Sequence, residues 1–365
     1  MTDARDSRPS ALITGASGQD GALLVTRLVA EGFDVHAVVR TPDDVSRMGA
    51  EWGAVDVIEA DILDDARLTE VVASLQPTEL YNLAGLSSVS QSFADPRLAW
   101  LTNAAAVANL LEAVRRFSPS TRFYQASSSE MFGWISGGAV VHNEDAPLLP
   151  QSPYASAKAA AHLLCGAYRR AYGLRIACGI LFNHESHRRG PGFLTRKVTD
   201  HARALRANPA PHAVPPLTAG NLKARRDWGF APDYVDGMCR ILRQVAVRAD
   251  VRGVEPEPDE AGAYRDYVLG TGQTHAVWEL IDRAFRLAGF KLAWDMSDPD
   301  VARWGARFEG TEVVAVRVDS TLLRPNDPLV IEADASRARA ELGWAPRIGL
   351  DCFLEDMLDQ SRGSP

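Results

Sequence analysis

Residues 11–21 read Ala-Leu-Ile-Thr-Gly-Ala-Ser-Gly-Gln-Asp-Gly, and this stretch decides the fold. It begins with a short apolar run typical of a buried strand and leads into a helical pattern, with glycines spaced GxxGxxG between the two. We expect Gly15 to make the tight turn, Gly18 to let the backbone approach a pyrophosphate, and Gly21 to let helix and strand pack closely. The stretch therefore predicts a dinucleotide-binding loop. The loop residues expected to contact the cofactor are Gly15, Ser17, Gly18, Gln19, Asp20 and Gly21.

The same alternation of apolar run and helical pattern continues through the first half of the chain. Strands are expected at 11–14, 35–39, 55–59, 80–83, 123–126 and 175–182, and helices at 20–31, 68–75, 99–117 and 154–172. Repeated β-α alternation indicates parallel strands covered by helices on both faces. The fold class predicted is therefore α/β, with a doubly wound parallel sheet of Rossmann type.

After about residue 183 the segments become shorter and richer in proline and glycine. We expect a smaller C-terminal α/β lobe with helices near 232–245, 275–289 and 334–342. The expected organisation is a disordered lead-in over 1–9, a cofactor domain over 10–183 with returning segments, and a lobe over 184–365 that mainly binds substrate. The Pro-rich stretch 209–216 and the acidic stretch 251–262 are expected to be surface loops.

Composition narrows the classes of function. The chain has 365 residues, 24% of them charged, and a formal net charge of -8, which argues against binding nucleic acid or anionic membrane. The apolar runs stay short of the roughly 20 residues of a membrane span, and the polar start lacks a signal peptide's apolar core. A cytoplasmic protein is therefore expected. No metal site is expected, because the cysteines are widely spaced and resemble reduced, buried thiols: Cys165, Cys178, Cys239 and Cys352.

Arg40 ends the second predicted strand, where NAD-binding proteins usually carry Asp or Glu. A guanidinium at this position suits the 2′-phosphate of NADP. The neighbouring carboxylates of Asp43 and Asp44 would weaken such a positive pocket. NADP is therefore the expected cofactor, and NAD stays open. Further contacts with the cofactor are expected from Asp61, Ile62, Leu83 and Ala84.

Tyr154 and Lys158 stand four residues apart on a predicted helix, which puts both side chains on one face. An ammonium group beside a phenol is expected to lower the pKa of the phenol. A tyrosine in that state can take a hydroxyl proton while hydride leaves the same carbon. YxxxK alone is common, but after a GxxGxxG unit it predicts the catalytic base of a dehydrogenase.

A run of serines and a carboxylate, Ser127 to Glu130, follows the fifth predicted strand. Ser128 is expected to hydrogen-bond the substrate oxygen. Glu130 indicates more than a reductase or epimerase, because an enzyme that removes a proton from carbon and expels water needs a carboxylate here. Some sugar-nucleotide decarboxylases also carry Ser/Thr-Ser-Glu at this point, so the motif leaves both reactions open.

Taken together, these motifs resemble the GDP-mannose 4,6-dehydratase family, of the extended short-chain dehydrogenase type, over nearly the whole chain. The glycine loop, the catalytic loop and the tyrosine-lysine helix carry part of the resemblance. Longer strings later in the chain are more specific. The matching strings are 11–21, 123–133, 152–158, 179–186, 188–190, 195–197, 220–229 and 233–235.

The resemblance implies a lyase that converts a GDP-hexose to a GDP-4-keto-6-deoxyhexose. C4 is oxidised transiently, water leaves across C5 and C6, and hydride returns to C6. A homodimer or homotetramer is also implied. The catalytic residues implied are Ser128, Glu130, Tyr154 and Lys158, and the substrate contacts implied are Ser87, Asn183, Lys197, Arg226 and Arg324.

Departures from the family pattern leave alternatives open. Leu86 and Ser88 flank Ser87 where the family has Gln and His, Thr41 replaces a basic residue, and His187 replaces Pro. Pro191-Gly192 and Asp327 depart as well. A dehydratase, epimerase or decarboxylase acting on another nucleotide sugar, such as GDP-heptose or a UDP-sugar, is the nearest alternative. A non-catalytic dinucleotide-binding protein is a further one.

Overall fold

The structure is a computed structural model that describes residues 8–41, 50–134, 141–208, 214–255, 258–323 and 328–359. Arg324 and Asp327 lie outside these ranges, as do parts of the lead-in, the Pro-rich stretch and the acidic stretch.

Sixteen strands fall within the described ranges: β1 (Ser10–Thr14), β2 (Asp34–Val39), β3 (Asp56–Glu59), β4 (Glu79–Asn82), β5 (Arg122–Ser128), β6 (Val141–His142), β7 (Ile176–Leu181), β8 (Asn183–Glu185), β9 (Leu217–Ala219), β10 (Arg225–Phe230), β11 (Tyr267–Leu269), β12 (Thr274–Ala276), β13 (Leu292–Asp295), β14 (Gly305–Phe308), β15 (Val314–Val318) and β16 (Val330–Ala333).

The described α-helices are α1 (Gln19–Ala30), α2 (Asp65–Leu75), α3 (Val89–Ala94), α4 (Pro96–Trp100), α5 (Ala106–Phe117), α6 (Pro153–Tyr172), α7 (Leu194–Ala207), α8 (Ala231–Leu242), α9 (Gln244–Arg252), α10 (Val277–Leu287), α11 (Ser336–Leu342) and α12 (Leu350–Leu358).

Seven parallel strands form the main sheet, in the order β11-β7-β5-β4-β1-β2-β3. The chain runs outward from β1 to β3 and then returns to the other side of β1 with β4. The strand order reverses between β1 and β4, so a crevice opens beyond their carboxyl ends, where doubly wound sheets bind ligands. The α/β class and the parallel Rossmann-type sheet predicted from the sequence are confirmed.

Apolar side chains cover both faces of this sheet. On one face α1 and α8 contribute a buried cluster that includes Leu24, Leu28 and Met238. On the other face α2, α5 and α6 contribute a second cluster that includes Val72 and Leu111. Because both faces are buried, the strands read as apolar runs rather than as alternating patterns.

Two smaller sheets come mostly from the second half of the chain. One has the order β12-β10-β16-β6, with β8 also paired to β10, and the other has the order β13-β14-β15-β9. Helices α7, α10 and α12 pack on the second of these through a separate apolar cluster that includes Phe285 and Phe353. The sequence predicted helices of this lobe but left its short strands unassigned.

The helix that was predicted over 99–117 differs from the observed one. A π-helical turn, Leu101–Ala105, separates α4 from α5. A π turn takes one extra residue into the backbone ladder and shifts the faces of the helix on either side of it. Periodicity alone cannot show such a turn, because the flanking residues keep a helical pattern.

Glu79, at the start of β4, is a fully buried carboxylate with three donors around it. Arg243, directly after α8, binds it through Nε and Nη2 at 2.8 and 2.9 Å, Arg122 lies at 3.2 Å, and Tyr81 donates its hydroxyl at 2.9 Å. This group ties α8 to the amino end of the main sheet.

Removing one partner of a buried ion pair leaves a charge without its compensation. We therefore expect Arg243→Met to lower the free energy of unfolding by about 3 kcal/mol, measured by urea denaturation followed by circular dichroism. Arg67→Met, which removes the exposed Arg67–Glu70 pair, serves as the matched control and should shift the midpoint little. Equal midpoint shifts for the two variants would contradict this view of Glu79.

Candidate active site

The glycine loop connects β1 to α1 by a turn that only glycine fits. Gly15 has a φ of +68°, and a Cβ there would lie 2.7 Å from the Ala84 nitrogen. A Cβ on Gly21 would collide with the carbonyl oxygen of Gly15. The helix therefore starts directly against the strand end, with Leu83 and Ala84, which follow β4, packed against the turn.

The start of α1 suits a pyrophosphate. Gly18 is its N-cap and supplies no side-chain cap, while the Gly18 carbonyl accepts the Ala22 N–H at 3.0 Å. The N–H groups of the first turn thus meet no capping side chain, and a helix N-terminus in that state attracts anions. Ser17 is half-buried beside Gly18. These residues fit the phosphates of a dinucleotide.

A chain of buried polar side chains runs under the loop across three strands. The Thr14 hydroxyl donates to Asn82 Oδ1 at 2.6 Å, and Asn82 Nδ2 donates to Gln125 Oε1 at 2.8 Å. Thr14 Oγ1 also accepts the Ala84 N–H at 3.3 Å. This chain holds the carboxyl ends of β1, β4 and β5 at the switch point.

The residues predicted to contact the far end of the cofactor lie at the edge of the same sheet. Arg40 is exposed directly after β2. Asp61 and Ile62 follow β3, and Asp61 Oδ1 accepts the Leu63 N–H at 2.9 Å. The fold brings these three residues to the same edge as the glycine loop, since all of them follow neighbouring parallel strands.

Helix α6 presents the tyrosine and lysine predicted to be catalytic. Ser152 caps it by accepting the Ala155 N–H at 3.1 Å, and Pro153 occupies its first turn. Tyr154 and Lys158 are both buried, and the Lys158 ammonium lies 6.0 Å from the centre of the Tyr154 ring. Lys158 Nζ donates to the Ala126 carbonyl oxygen of β5 at 3.0 Å. The helix and β5 are thus joined beside this tyrosine and lysine.

The expected lowering of the phenol pKa is not found in the protein without cofactor. Burial raises the pKa of Tyr154 to about 12; a hydrogen bond with Ser128 opposes this rise, and the charge of Glu130 adds to it. Burial also lowers the pKa of Lys158 to about 8, against the charge of Asp20. The physical reason is that desolvation outweighs an ammonium directed at a backbone carbonyl rather than at the phenol.

Ser128 and Glu130 complete the group at the end of β5. Ser128 is buried, and its hydroxyl faces Tyr154 while accepting the Glu130 N–H at 3.3 Å. Glu130 is half-buried in the short 3₁₀ turn that follows, Ser129–Phe132. The structure therefore brings together the four side chains predicted to be catalytic.

The residues predicted to bind substrate lie further apart. Asn183 opens β8, directly after β7 of the main sheet. Lys197, on α7, donates to Thr218 Oγ1 at 3.1 Å and lines a pocket of about 390 Å³. Ser87 is exposed in the loop after β4. The remaining residues around the pocket are Pro191, Asp200, His201, Val214, Pro215, Pro216 and Leu217.

Arg226, predicted to neutralise a pyrophosphate, is mostly buried in β10. Its guanidinium donates to the carbonyl oxygens of Arg225 and Pro328, at 2.9 and 2.7 Å. The second contact holds the backbone at Pro328, just before β16. Arg324, the other predicted phosphate contact, lies outside the described residues.

Arg189 lies beside this site, although it was not predicted among the catalytic or binding residues. Its guanidinium carbon lies 3.6 Å from the centre of the Phe193 ring, and its Nε lies 3.1 Å from Glu185 Oε2. Its positive charge acts to lower the pKa of both Tyr154 and Asp20.

His162 is a second missed residue, one helical turn after Lys158. Its Nδ1 lies 3.1 Å from the Ser127 hydroxyl, next to Ser128. The spacing i, i+4, i+8 from Tyr154 is the signal that would have found it. His162, Cys178 and Asp266 offer metal-type ligand atoms within 4.8 Å of one another. Arg169 binds the Asp266 carboxylate at 3.0 and 2.8 Å, however, and its charge opposes a cation there.

A parallel sheet that reverses at β1, an uncapped glycine loop and a buried serine-tyrosine-lysine group define an enzyme of the short-chain dehydrogenase class. The chain belongs to the GDP-mannose 4,6-dehydratase family, because the model of that family matches residues 12–357.

Relatives of that name are similar over nearly their whole length. The Vibrio cholerae GDP-mannose 4,6-dehydratase is 36% identical over 95% of this chain and 92% of its own. The Drosophila melanogaster enzyme is 33% identical over 97% and 86%, and the Homo sapiens enzyme is 32% identical over 96% and 91%.

Solved structures share the fold at lower identity. RMD from Pseudomonas aeruginosa, complexed with NADPH, superposes with a TM-score of 0.71 at 22% identity and covers 97% of this chain and 100% of its own. UDP-glucose 4-epimerase from Thermus thermophilus, in complex with NAD, reaches 0.74 at 22% identity, with coverage of 98% and 100%.

Lys158 carries a cost in stability that its removal should reveal. Because its pKa is lowered on folding, the unfolded chain binds this proton more tightly, and wild-type stability rises as pH increases from about 8 towards the unfolded pKa. Removing the buried ammonium relieves its desolvation, and loss of the hydrogen bond to the Ala126 carbonyl offsets only part of that gain. We therefore expect Lys158→Met to be inactive but more stable below pH 8 by about 1–3 kcal/mol.

The advantage of the variant should shrink above pH 8, when the wild-type lysine loses its proton in the folded state. Urea unfolding of both proteins between pH 7 and 9.5 measures this difference. A difference in stability that does not depend on pH would show that Lys158 is not destabilised by burial.

Proposed function

We propose that this enzyme converts GDP-mannose to GDP-4-keto-6-deoxymannose. The observation that carries the proposal is the meeting of Glu130 with Ser128, Tyr154 and Lys158 at the end of β5, in a chain of this family. A reversible oxidation needs only the last three residues. Glu130 adds the acid-base group that elimination of water requires.

Bound NADP would supply a hydride acceptor at C4 and return the hydride to C6. The glycine loop and the first turn of α1 would hold its pyrophosphate, and Arg40 would meet the 2′-phosphate. The similar structures hold either cofactor, NADPH in RMD and NAD in the Thermus thermophilus epimerase, so the preference for NADP rests on Arg40. Arg40 is exposed and therefore free to turn towards a phosphate.

Tyr154 takes the proton of the sugar 4-hydroxyl. Its phenol is protonated in the protein alone, since its pKa is about 12, so it needs nearby positive charge to act as a base. Lys158 supplies part of that charge, and its bond to Ala126 keeps it beside the tyrosine. Ser128 orients the phenol and the substrate oxygen through its buried hydroxyl.

Glu130 acts after C4 has become a ketone. The ketone acidifies the C5 proton, and the carboxylate removes it. Glu130 then gives the proton to the C6 hydroxyl, which leaves as water. When hydride returns to C6, C5 takes up one proton, which balances the proton that Tyr154 removed from the 4-hydroxyl. This role is supported by the position of Glu130 in the turn directly after Ser128, where its charge acts on the Tyr154 phenol.

The nucleotide would lie in the C-terminal lobe. The pocket beside α7 is lined by Lys197 together with apolar and polar side chains, Asp200 among them. The positive charge of Lys197 suits an anionic nucleotide. Asn183 lies between that lobe and the catalytic end of β7. We keep the division expected from the sequence, 10–183 with returning segments for cofactor and 184–365 mainly for substrate, as part of this proposal.

We also propose a homo-oligomer that forms through α4 and α6. Exposed apolar side chains lie along these neighbouring helices, among them Trp100 on α4 and Leu163 on α6, which are 51% and 61% exposed. The outward face of α6 continues with Ala167 and Ala171. A two-fold contact would bury the same face of each copy.

A cytoplasmic location fits the four cysteines, which are all free. Among the described residues, no helix combines the length and apolar composition needed to cross a bilayer.

Leu163→Arg should shift the protein towards monomers, because it places a charge in the proposed contact. Sedimentation velocity measures the change in mass. Val314→Arg, at an equally apolar and 44% exposed position on β15, is the control and should leave the mass unchanged. If the wild-type protein sediments as a monomer, α4 and α6 do not form a stable interface.

Incubation of the purified protein with NADP⁺ and GDP-mannose, followed by proton NMR, tests the reaction. A C6 methyl doublet with a 4-keto or hydrated keto sugar is expected. Glu130→Gln should slow its appearance by roughly 10²–10⁴-fold while cofactor binding persists. Glu309→Gln, at an exposed site in the C-terminal lobe, is the matched control.

Two outcomes would change the assignment. Full dehydration by Glu130→Gln would remove Glu130 from the mechanism. An unchanged spectrum from the wild type, with cofactor bound, would keep the site but turn the search to other nucleotide sugars, beginning with GDP-heptose and UDP-sugars.

A further inference from the structure

Two strings that lie far apart in the sequence meet beside the glycine loop. Gln19 Nε2 donates to the His184 carbonyl oxygen at 3.0 Å, and the Ser186 hydroxyl donates to Gln19 Oε1 at 3.1 Å. Asp20 Oδ2 lies 2.9 Å from His184 Nε2. The first residues of α1 are therefore bound by side chains to β8 and the residue that follows it.

Both ring nitrogens of His184 face groups that can only accept a hydrogen bond. Nε2 faces the Asp20 carboxylate, and Nδ1 lies 2.7 Å from the Phe182 carbonyl oxygen. A neutral imidazole carries one N–H and could satisfy only one of them. The geometry therefore requires the imidazolium, with both nitrogens donating. Its ring stacks on Tyr234 at 4.5 Å.

The charges around this pair favour the same state. Burial alone would lower the pKa of His184, but the Asp20 carboxylate more than offsets it and the pKa is raised. Burial alone would raise the pKa of Asp20, and His184 more than offsets that. Arg189 faces both groups, and the charge of Asp20 also reaches Tyr154 and Lys158 of α6.

We propose that Asp20 and His184 are positioning residues that join the cofactor loop to the substrate strand β8, so that binding at either site orders the other. Asp20 had been predicted as a cofactor contact. Its carboxylate is directed at His184, while its backbone N–H, in the first turn of α1, stays on the cofactor side. Asn183, the neighbour of His184, begins the strand that leads into the substrate lobe.

The coupling follows from the stiffness of the connection. A pyrophosphate on α1 fixes Asp20, Asp20 fixes the His184 ring, and the ring fixes the start of β8. Substrate phosphate held by Asn183, the first residue of β8, acts on the same contacts in the opposite direction, and linkage requires equal effects both ways. The inference rests on the proposed function only in the choice of NADP⁺ and GDP as probes.

The protonation state can be measured without turnover. In ¹⁵N-histidine-labelled protein at pH 7, an isolated imidazole is mostly neutral. His184 is expected to show two protonated ring nitrogens, assigned by comparison with His184→Gln. In Asp20→Asn the carboxylate that accepts from Nε2 is gone, so the charged contact is lost and the ring should become neutral. A neutral His184 ring in the wild type overturns the proposal.

The coupling is measured as the Kd of NADP⁺ with and without saturating GDP, by isothermal titration calorimetry. The wild type should show a ratio of roughly fivefold or more, and Asp20→Asn a ratio near one. Asp56→Asn is the matched control, because it alters another His–Asp pair, His36 and Asp56 at 2.8 Å, near the start of β3. It should keep the wild-type ratio.

The outcomes separate this inference from the proposed reaction. A wild-type ratio near one, or an unchanged ratio in Asp20→Asn, overturns the coupling. Coupling without dehydration of GDP-mannose leaves the inference standing and removes the proposed function. His184→Gln, which keeps one donor, should fall between wild type and Asp20→Asn in the measured ratio.

Discussion

The close contact between the Gly15 carbonyl and the backbone of Gly21 is the constraint on which the rest of the site depends. It starts α1 directly against the end of β1, so the uncapped first turn lies over the crevice between β1 and β4. A side chain on Gly21 would push the helix away, and one on Gly15 would clash with the backbone of Ala84 after β4. Three features depend on this placement of α1. They are the cofactor loop, the buried hydrogen bonds from Thr14 to Gln125, and the contact between Asp20 and His184.

Much of the cofactor half could be predicted from the sequence, because its signals are local. A strand, a glycine turn and a helix are neighbours in the chain, and β-α alternation then fixes a parallel sheet. Tyr154 and Lys158 could be paired for the same reason, since one helical turn separates them. The strand that completes the sheet edge, β11, could not, because it comes from residue 267 and reads as three residues in a loop-rich region.

The parts that escaped prediction depend on contacts between distant residues or on burial. The sequence placed a lysine beside a tyrosine but could not show that both groups lose their hydration, which reverses the expected change in the pKa of the phenol. Gln19 and Asp20 stand more than 160 residues before His184 and Ser186, and nothing in the sequence indicates that the two strings touch. The π turn before α5 was hidden because the residues around it keep their helical pattern.

The burial of Lys158 gives the fold an evolutionary asymmetry. A protein that no longer needs its chemistry gains by exchanging the lysine for an apolar residue, so drift after a gene duplication would remove this group early. The lost lysine would be hard to regain, since each return would cost stability before any activity came back.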